Sequence, residues 1–253
     1  MFGICNLAIV PVRLEPSHRS EMVSQLLFGE HFEILETAKG WVKIKIHFDS
    51  YEGWMDEKQY QPISESEFGL LSSKDIILNA DLIEYISGKD NLLFPIPLAS
   101  TLTFLDNPQI NTSGFSFEGL KTSGTQPKSN ILKTAFMYLN TPYLWGGKTP
   151  FGIDCSGFVQ MVYKLNGYKL FRDAYQQATQ GEVLSFIEEA EAGDLAFFDN
   201  DEGKIVHVGI LMNDNYIIHA HGKVRIDRLD HLGIMNVYTK RHTHKLRVIK
   251  KII

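Results

Sequence analysis

Residues 150–159, "PFGIDCSGFV", set a single cysteine between an acid and a serine where a loop turns into a helix. Asp154 is suited to cap that helix, and Phe158, Val159, Val162 and Leu165 recur at the spacing of one buried stripe before Gly167 ends it. Cys155 therefore falls in the first turn, where free N–H groups and the helix dipole favour negative charge. Three readings are open for it: a small buried hydrophobe, a metal ligand or a nucleophile.

On the N-terminal side lies a Gly-rich loop, "PYLWGGKTPFGI", in which Gly146 and Gly147 permit close backbone approach and Trp145 reads as a core aromatic. Before it, Ser129 is placed to cap a helix with Ile131, Leu132, Ala135, Phe136 and Leu139 on its apolar face, stopped by Asn140 and Pro142. After Cys155, a short polar helix is expected around 173–180. The pattern then changes to period two in "GDLAFFD", "IVHVGILM", "YIIHAHG", "KVRI" and "LRVIKKI", which read as antiparallel strands. Helices followed by a run of strands is an α+β signature.

Two histidines, His207 and His219, sit in otherwise apolar strands. Neighbouring antiparallel strands can bring them together, so that one ring takes the thiol proton and the other orients it. Zinc is the competing use of Cys and His. With no C-x-x-C pair and no H-E-x-x-H run, neither a metal nor any other cofactor is expected.

The chain of 253 residues is long enough for one large domain or several small ones, and 44% hydrophobic with 22% charged residues is ordinary for a globular protein. A net charge of −5 argues against a nucleic-acid partner. The one dense basic stretch, "TKRHTHKLRVIKK", reads as a solvated strand edge. No apolar run approaches the length that spans a bilayer, so no membrane association is expected. The start, "MFGICNLAIVPVRLEPS", lacks a basic leader and meets Pro11 after a four-residue apolar run, which leads to an expected cytoplasmic location with reduced thiols. Residues 1–62 alternate short apolar runs with turn residues in the style of a small β-barrel, residues 66–122 repeat that rhythm, and "LKTSGTQPKSN" reads as a linker to a third domain at 126–253.

The strings "TPYLWGGKTPFGIDCSGFVQMVY", "AGDLAFF", "HVGI" and "IIHAHGKV" resemble, in order and spacing, the motifs of the NlpC-type cell-wall cysteine peptidases, a papain-like α+β group. The resemblance implies Cys155 as nucleophile, His207 as base and His219 as third polar member. Tyr143 would stand beside the thiol and help hold the oxyanion. The family usually has serine where this chain has His221, a ring able to compete with His219. "AIVPVRLEPSHRSEMVSQLLFGE" and "SYEGWM" resemble the first of two bacterial SH3 domains in a subgroup that cuts γ-D-glutamyl–diamino acid bonds of murein peptides. The expected architecture is thus two SH3-like barrels followed by an α+β papain-like peptidase domain.

By the same resemblance, Asp173 in "FRDAYQQ" would bind the amine of an N-terminal L-alanine, with Glu21 and Tyr51 contributing from the SH3 side. Arg172 would pair with the glutamyl α-carboxylate or with Asp173, and Asp154 and Ser156 would flank the substrate main chain. The implied partner is a murein tripeptide or related stem peptide. Two other uses of this scaffold stand beside it: a non-catalytic module that holds such peptides, and a thiol acyltransferase.

Overall fold

The computed structural model describes residues 1–89 and 92–253 and divides into two compact units, 1–125 and 126–253. The first unit opens with β1 (Phe2–Ile4), β2 (Ile9–Arg13), β3 (Met22–Leu27), β4 (His31–Ala38), β5 (Trp41–Ile46), β6 (Glu52–Asp56) and β7 (Gln61–Ile63). They pair in the order β3-β2-β6-β5-β4-β1-β7. Period-two alternation drives this sheet: Val10 and Val12, Phe32 and Ile34, and Val42, Ile44 and Ile46 all point into one core, which also encloses Cys5.

Helix α1 (Glu65–Ser72) follows and starts with a reciprocal cap, in which the Ser64 N–H donates to Glu67 and the Glu67 N–H donates to Ser64 Oγ. The stretch expected to form a second barrel, 66–122, instead contributes two small ribbons besides most of α1. One pairs β8 (Ile77–Asn79) with β11 (Lys121–Ser123), the other β9 (Ile83–Ser87) with β10 (Leu93–Pro97). Residues 90 and 91 of that stretch lie outside the described residues. The ribbons share their core with the first sheet: Ile4 and Phe28 pack in one cluster with Ile86, Ile96, Phe104 and Phe117. A short two-stranded ribbon cannot bury enough apolar surface alone, which is the physical reason for that sharing.

The second unit begins with α2 (Asn130–Met137), β12 (Lys148–Thr149), β13 (Gly152–Ile153), α3 (Cys155–Leu165) and α4 (Ala174–Gln177). Its sheet strands follow: β14 (Glu182–Leu184), β15 (Leu195–Asp199), β16 (Ile205–Leu211), β17 (Tyr216–His221), β18 (Lys223–Asp230), β19 (Gly233–Met235) and β20 (His242–Lys251). The order β14-β20-β15-β16-β17-β18-β19, with a further β19–β20 pairing, closes six strands into a barrel and leaves β14 outside it. All eleven residues of α3 are buried, more than the expected single stripe, and the helix packs against β16 and β17.

Three expectations change here. The basic stretch is not a sheet edge, because β20 pairs with β14, β15 and β19; Lys245 and Lys251 are exposed, while Lys250 is buried and donates to the Gly181 carbonyl. Ser129 precedes α2 with a helical backbone and makes no capping bond. Within α2, Phe136 is exposed while Ile131 and Ala135 are buried. Just beyond its end Leu139 is exposed and Tyr138 buried, so the inward face is narrower than the pattern suggested. No helix among the described residues is long and apolar enough to cross a membrane.

Candidate active site

The entry to α3 is organised by Asp154. Its Oδ1 accepts from the Gly157 N–H at 2.7 Å and from Ser156 Oγ at 3.3 Å, while Oδ2 accepts from the Gly146 N–H at 2.8 Å. The Arg172 guanidinium closes a two-oxygen fork on the same carboxylate, at 2.9 and 2.6 Å, and also donates to Ser156 Oγ at 3.0 Å. Arg172 and Asp154 are both buried, and losing one member of such a pair costs about 3–5 kcal/mol. Gly157 is needed at its place, since a Cβ there would lie 2.4 Å from the Gly147 carbonyl oxygen. Gln177 ties the far side by donating to the carbonyls of Ser156 at 3.0 Å and Phe171 at 2.8 Å. These contacts put Asp154 in the capping role its place in the sequence suggested, and with Ser156 and Arg172 they lock the Gly-rich loop onto the first helical turn.

Cys155 is only 6% exposed. Burial, and then the Asp154 carboxylate, push its thiol up to about 12; N–H groups of Val208 and Ser156 and the Arg172 charge oppose this without prevailing. The helix terminus alone suggested an ionised sulfur. Burial outweighs it, and the resting sulfur carries its proton. Tyr143 stands within electrostatic reach: burial raises its phenol first, and the negative charge of a Cys155 thiolate and of Asp154 raises it further. Its loop is anchored to the barrel by the Tyr143 N–H, which donates to the Gly222 carbonyl at 3.0 Å, and by the bridge from Pro142 to Lys223.

Behind the thiol, three buried side chains form a line. His207 Nε2 lies 2.8 Å from His219 Nδ1, and His219 Nε2 lies 3.1 Å from Asp227 Oδ2. An ionised carboxylate only accepts, so the network assigns the protons: His219 Nε2 donates to Asp227, His219 Nδ1 accepts from His207 Nε2, and the lone pair of His207 sits on Nδ1. Burial would raise the Asp227 carboxyl, yet hydrogen bonds from His219, the Val237 N–H and Arg225 hold it below its ordinary value. His207 is held well below the usual imidazole range by burial first, then by His219, His244 and His221. Burial likewise lowers His219 against the pull of Asp227. A neutral imidazole keeps a lone pair that can take up a proton.

Asp227, Arg225 and His244 escaped the sequence reading. The His244 ring stacks on His207 with centroids 4.1 Å apart and planes at 23°. His221, the expected competitor, has its centroid 6.4 Å from His207, and the ring that accepts the His207 hydrogen bond is that of His219.

The pattern of the NlpC/P60 family matches residues 140–247, a span holding the thiol, both histidines and Asp227, and that of the bacterial dipeptidyl-peptidase SH3 domain matches residues 12–59. A γ-D-glutamyl-L-lysine dipeptidyl-peptidase of Bacillus subtilis is 30% identical over 216 residues, covering 78% of this chain and 71% of its own. The chain belongs to the NlpC/P60 family. NlpC/P60 proteins are cysteine peptidases. The enzyme of the same name from Bacillus cereus is 27% identical over 88% of this chain and 75% of its own, and dipeptidyl-peptidase 6 of Lysinibacillus sphaericus is 27% identical over 85% and 87%. A crystal structure of an NlpC/P60 family protein from Bacillus cereus shares the fold, with a TM-score of 0.82 at 19% identity over 100% of this chain and 99% of that one.

The remaining candidates of this NlpC/P60 chain divide between its units. Asp173, half-buried beside Arg172, opens α4, and its N–H donates to Gln176 Oε1 at 3.1 Å. Trp145, expected in the core, is 60% exposed on the loop that carries Tyr143. Glu21 and Tyr51 belong to the first unit: Glu21 is exposed just before β3, and the Tyr51 ring packs on the first sheet's core. Among the described residues no group of three or more His, Cys, Asp or Glu side chains is disposed to hold a metal.

Proposed function

We propose that this chain is a dipeptidyl-peptidase that hydrolyses the γ-D-glutamyl–diamino acid bond of murein peptides bearing a free N-terminal L-alanine, releasing L-Ala-γ-D-Glu. The observation that carries the reading is the unbroken line from His207 through His219 to Asp227 behind a capped, buried thiol. The names of the Bacillus and Lysinibacillus relatives support the substrate class.

In this mechanism the Cys155 sulfur attacks the scissile carbonyl while His207 Nδ1 takes the thiol proton, and the new imidazolium is stabilised through His219 by Asp227. The oxyanion is met by the Cys155 N–H and the Tyr143 hydroxyl; such donors contribute roughly 3–4 kcal/mol each. Collapse breaks the C–N bond as the imidazolium gives its proton to the departing amine, and water then hydrolyses the thioester with His207 again as base. The ammonium of the substrate is read by the Asp173 carboxylate. A charge-assisted hydrogen bond of this kind contributes about 1.5–3 kcal/mol. A binding module without turnover, or an acyltransferase, makes less use of this line of groups, which equips water-driven release as well as attack.

Incubation with L-Ala-γ-D-Glu-diaminopimelate, its L-lysine counterpart and their N-acetylated forms, followed by mass spectrometry, tests the proposal. Release of L-Ala-γ-D-Glu from the free peptides and its loss on acetylation are expected. Equal cleavage of the acetylated forms removes the role of Asp173, and cleavage of none removes the reading.

A further inference from the structure

We propose that Asp227 is a positioning residue that fixes the tautomers of both histidines, so that His207 presents a lone pair to the thiol; the proposal rests on the peptidase reading above. Its carboxylate sits where three groups converge, His219, Arg225 and the Val237 amide. Oδ2 accepts from His219 Nε2 at 3.1 Å and lies 2.8 Å from Arg225 Nε; Oδ1 accepts from Arg225 at 3.0 Å and from the Val237 N–H at 2.8 Å. Asp227 is 1% exposed and His219 fully buried, which leaves the surrounding protein to settle the direction of each hydrogen bond.

The guanidinium of Arg225 and the amide of Val237 can only donate. Of the groups that hydrogen-bond to Asp227, only the imidazole of His219 can exchange donor for acceptor. An acceptor at Asp227 therefore sends the protons one way along the line and leaves Nδ1 of His207 bare. A donor in the same place reverses every bond. His219 would then accept at Nε2 and carry its proton on Nδ1, His207 would accept at Nε2, and its proton would move to Nδ1, the nitrogen that must receive the thiol proton. The base disappears although no side chain near the sulfur has changed. The other rings beside this line are His244, stacked on His207, and His221, 6.1 Å from His219 ring to ring, and α3, whose first residue is Cys155, packs on β16 and β17.

Asp227→Asn performs this reversal. Its amide oxygen is held at the Oδ1 place by two donors that cannot invert, which turns the amide N–H toward His219. The expected result is a fall in kcat of roughly a thousandfold or more, as for a wrong-tautomer histidine elsewhere, with KM within about threefold. The rate of Cys155 alkylation by iodoacetamide at neutral pH should fall with it. In ¹⁵N NMR the His207 and His219 rings should move from the Nε2–H to the Nδ1–H pattern. A kcat within threefold of the unmodified protein, or unshifted ring nitrogens in the variant, overturns the proposal. If Asp227→Asn does not fold, the unmodified protein decides: both rings must show Nε2–H, and an Nδ1–H on His207 overturns the proposal. Alkylation and NMR need no peptide, so a failure of the substrate assignment is read separately from a failure of the tautomer assignment.

Discussion

Among the described residues each unit holds a closely stacked pair of histidines, and a wider His219–His221 stack, at 6.1 Å and 15°, adds to the second. In the first unit the rings of His31 and His47 lie 4.6 Å apart at 22°, with Phe68 edge-on to both, and both ring nitrogens approach the Ser72 hydroxyl, at 3.2 and 3.4 Å. In the second, His207 and His244 stack at 4.1 Å and 23°. Ring geometry hardly separates them. What separates them is the group at the end of the line: a hydroxyl both donates and accepts and so fits any tautomer, whereas a buried carboxylate fits one. Depth adds to the contrast, since the first pair is half-buried while His207 and His219 are buried among apolar strands. Stacked imidazoles are common packing. A hydrogen-bonded line of imidazoles that ends on an acceptor, as from His207 through the edge-on ring of His219 to Asp227, carries direction, and direction is what a base requires.

The contrast breaks most visibly at the sulfur. Cys155→Ala should reduce turnover below detection by mass spectrometry while leaving the circular dichroism spectrum intact; residual turnover above a few per cent would place the nucleophile elsewhere. Next in size, His219→Phe keeps a flat ring but severs the line, and kcat should fall about 10²–10⁴-fold. His31→Phe, the matching change in the first unit, should leave kcat within twofold, and the comparison fails if the two variants lose activity alike. Arg172→Met leaves the Asp154 charge buried and unpaired, and urea denaturation should register a loss of about 3–5 kcal/mol. The smallest effect is expected from pH. His207 and His219 are lowered from 6.5 in the folded state, so below that value the unfolded chain binds more protons and stability falls as pH drops. Asp227, lowered from 3.8, adds to the loss beneath its own range. The urea midpoint should therefore decline between pH 7 and pH 5. His244→Phe should flatten that decline, since burial has taken His244 down to about 4.

The thiol, its helix and the two strand histidines of the line were legible because each stands in a strongly patterned segment: an acid-capped turn for Cys155 and apolar strands for His207 and His219. Asp227 was not. In β18 the inward side changes phase, with Val224 buried at one end and Asp227 and Leu229 at the other, so strict alternation from Val224 would turn Asp227 to solvent. Its role also depends on a partner two strand positions past the pairing of His219 with Arg225, a register set only when the barrel closes. His244 was hidden by its own neighbours, because a run of lysines and arginines reads as an edge when the strands on either side are separated from it in the chain. The ribbons of 66–122 had the rhythm of a barrel, but rhythm does not count strands, and Phe28 and Ile4 complete their core from outside the segment.

The near-complete enclosure of a protonated sulfur has a bearing on oxidative damage. Peroxides attack thiolates, and the first product, a sulfenic acid, forms in proportion to the ionised and accessible fraction. A sulfur 6% exposed and held as a thiol offers little of either, so this peptidase should survive oxidant concentrations that inactivate enzymes whose resting cysteine is already an anion.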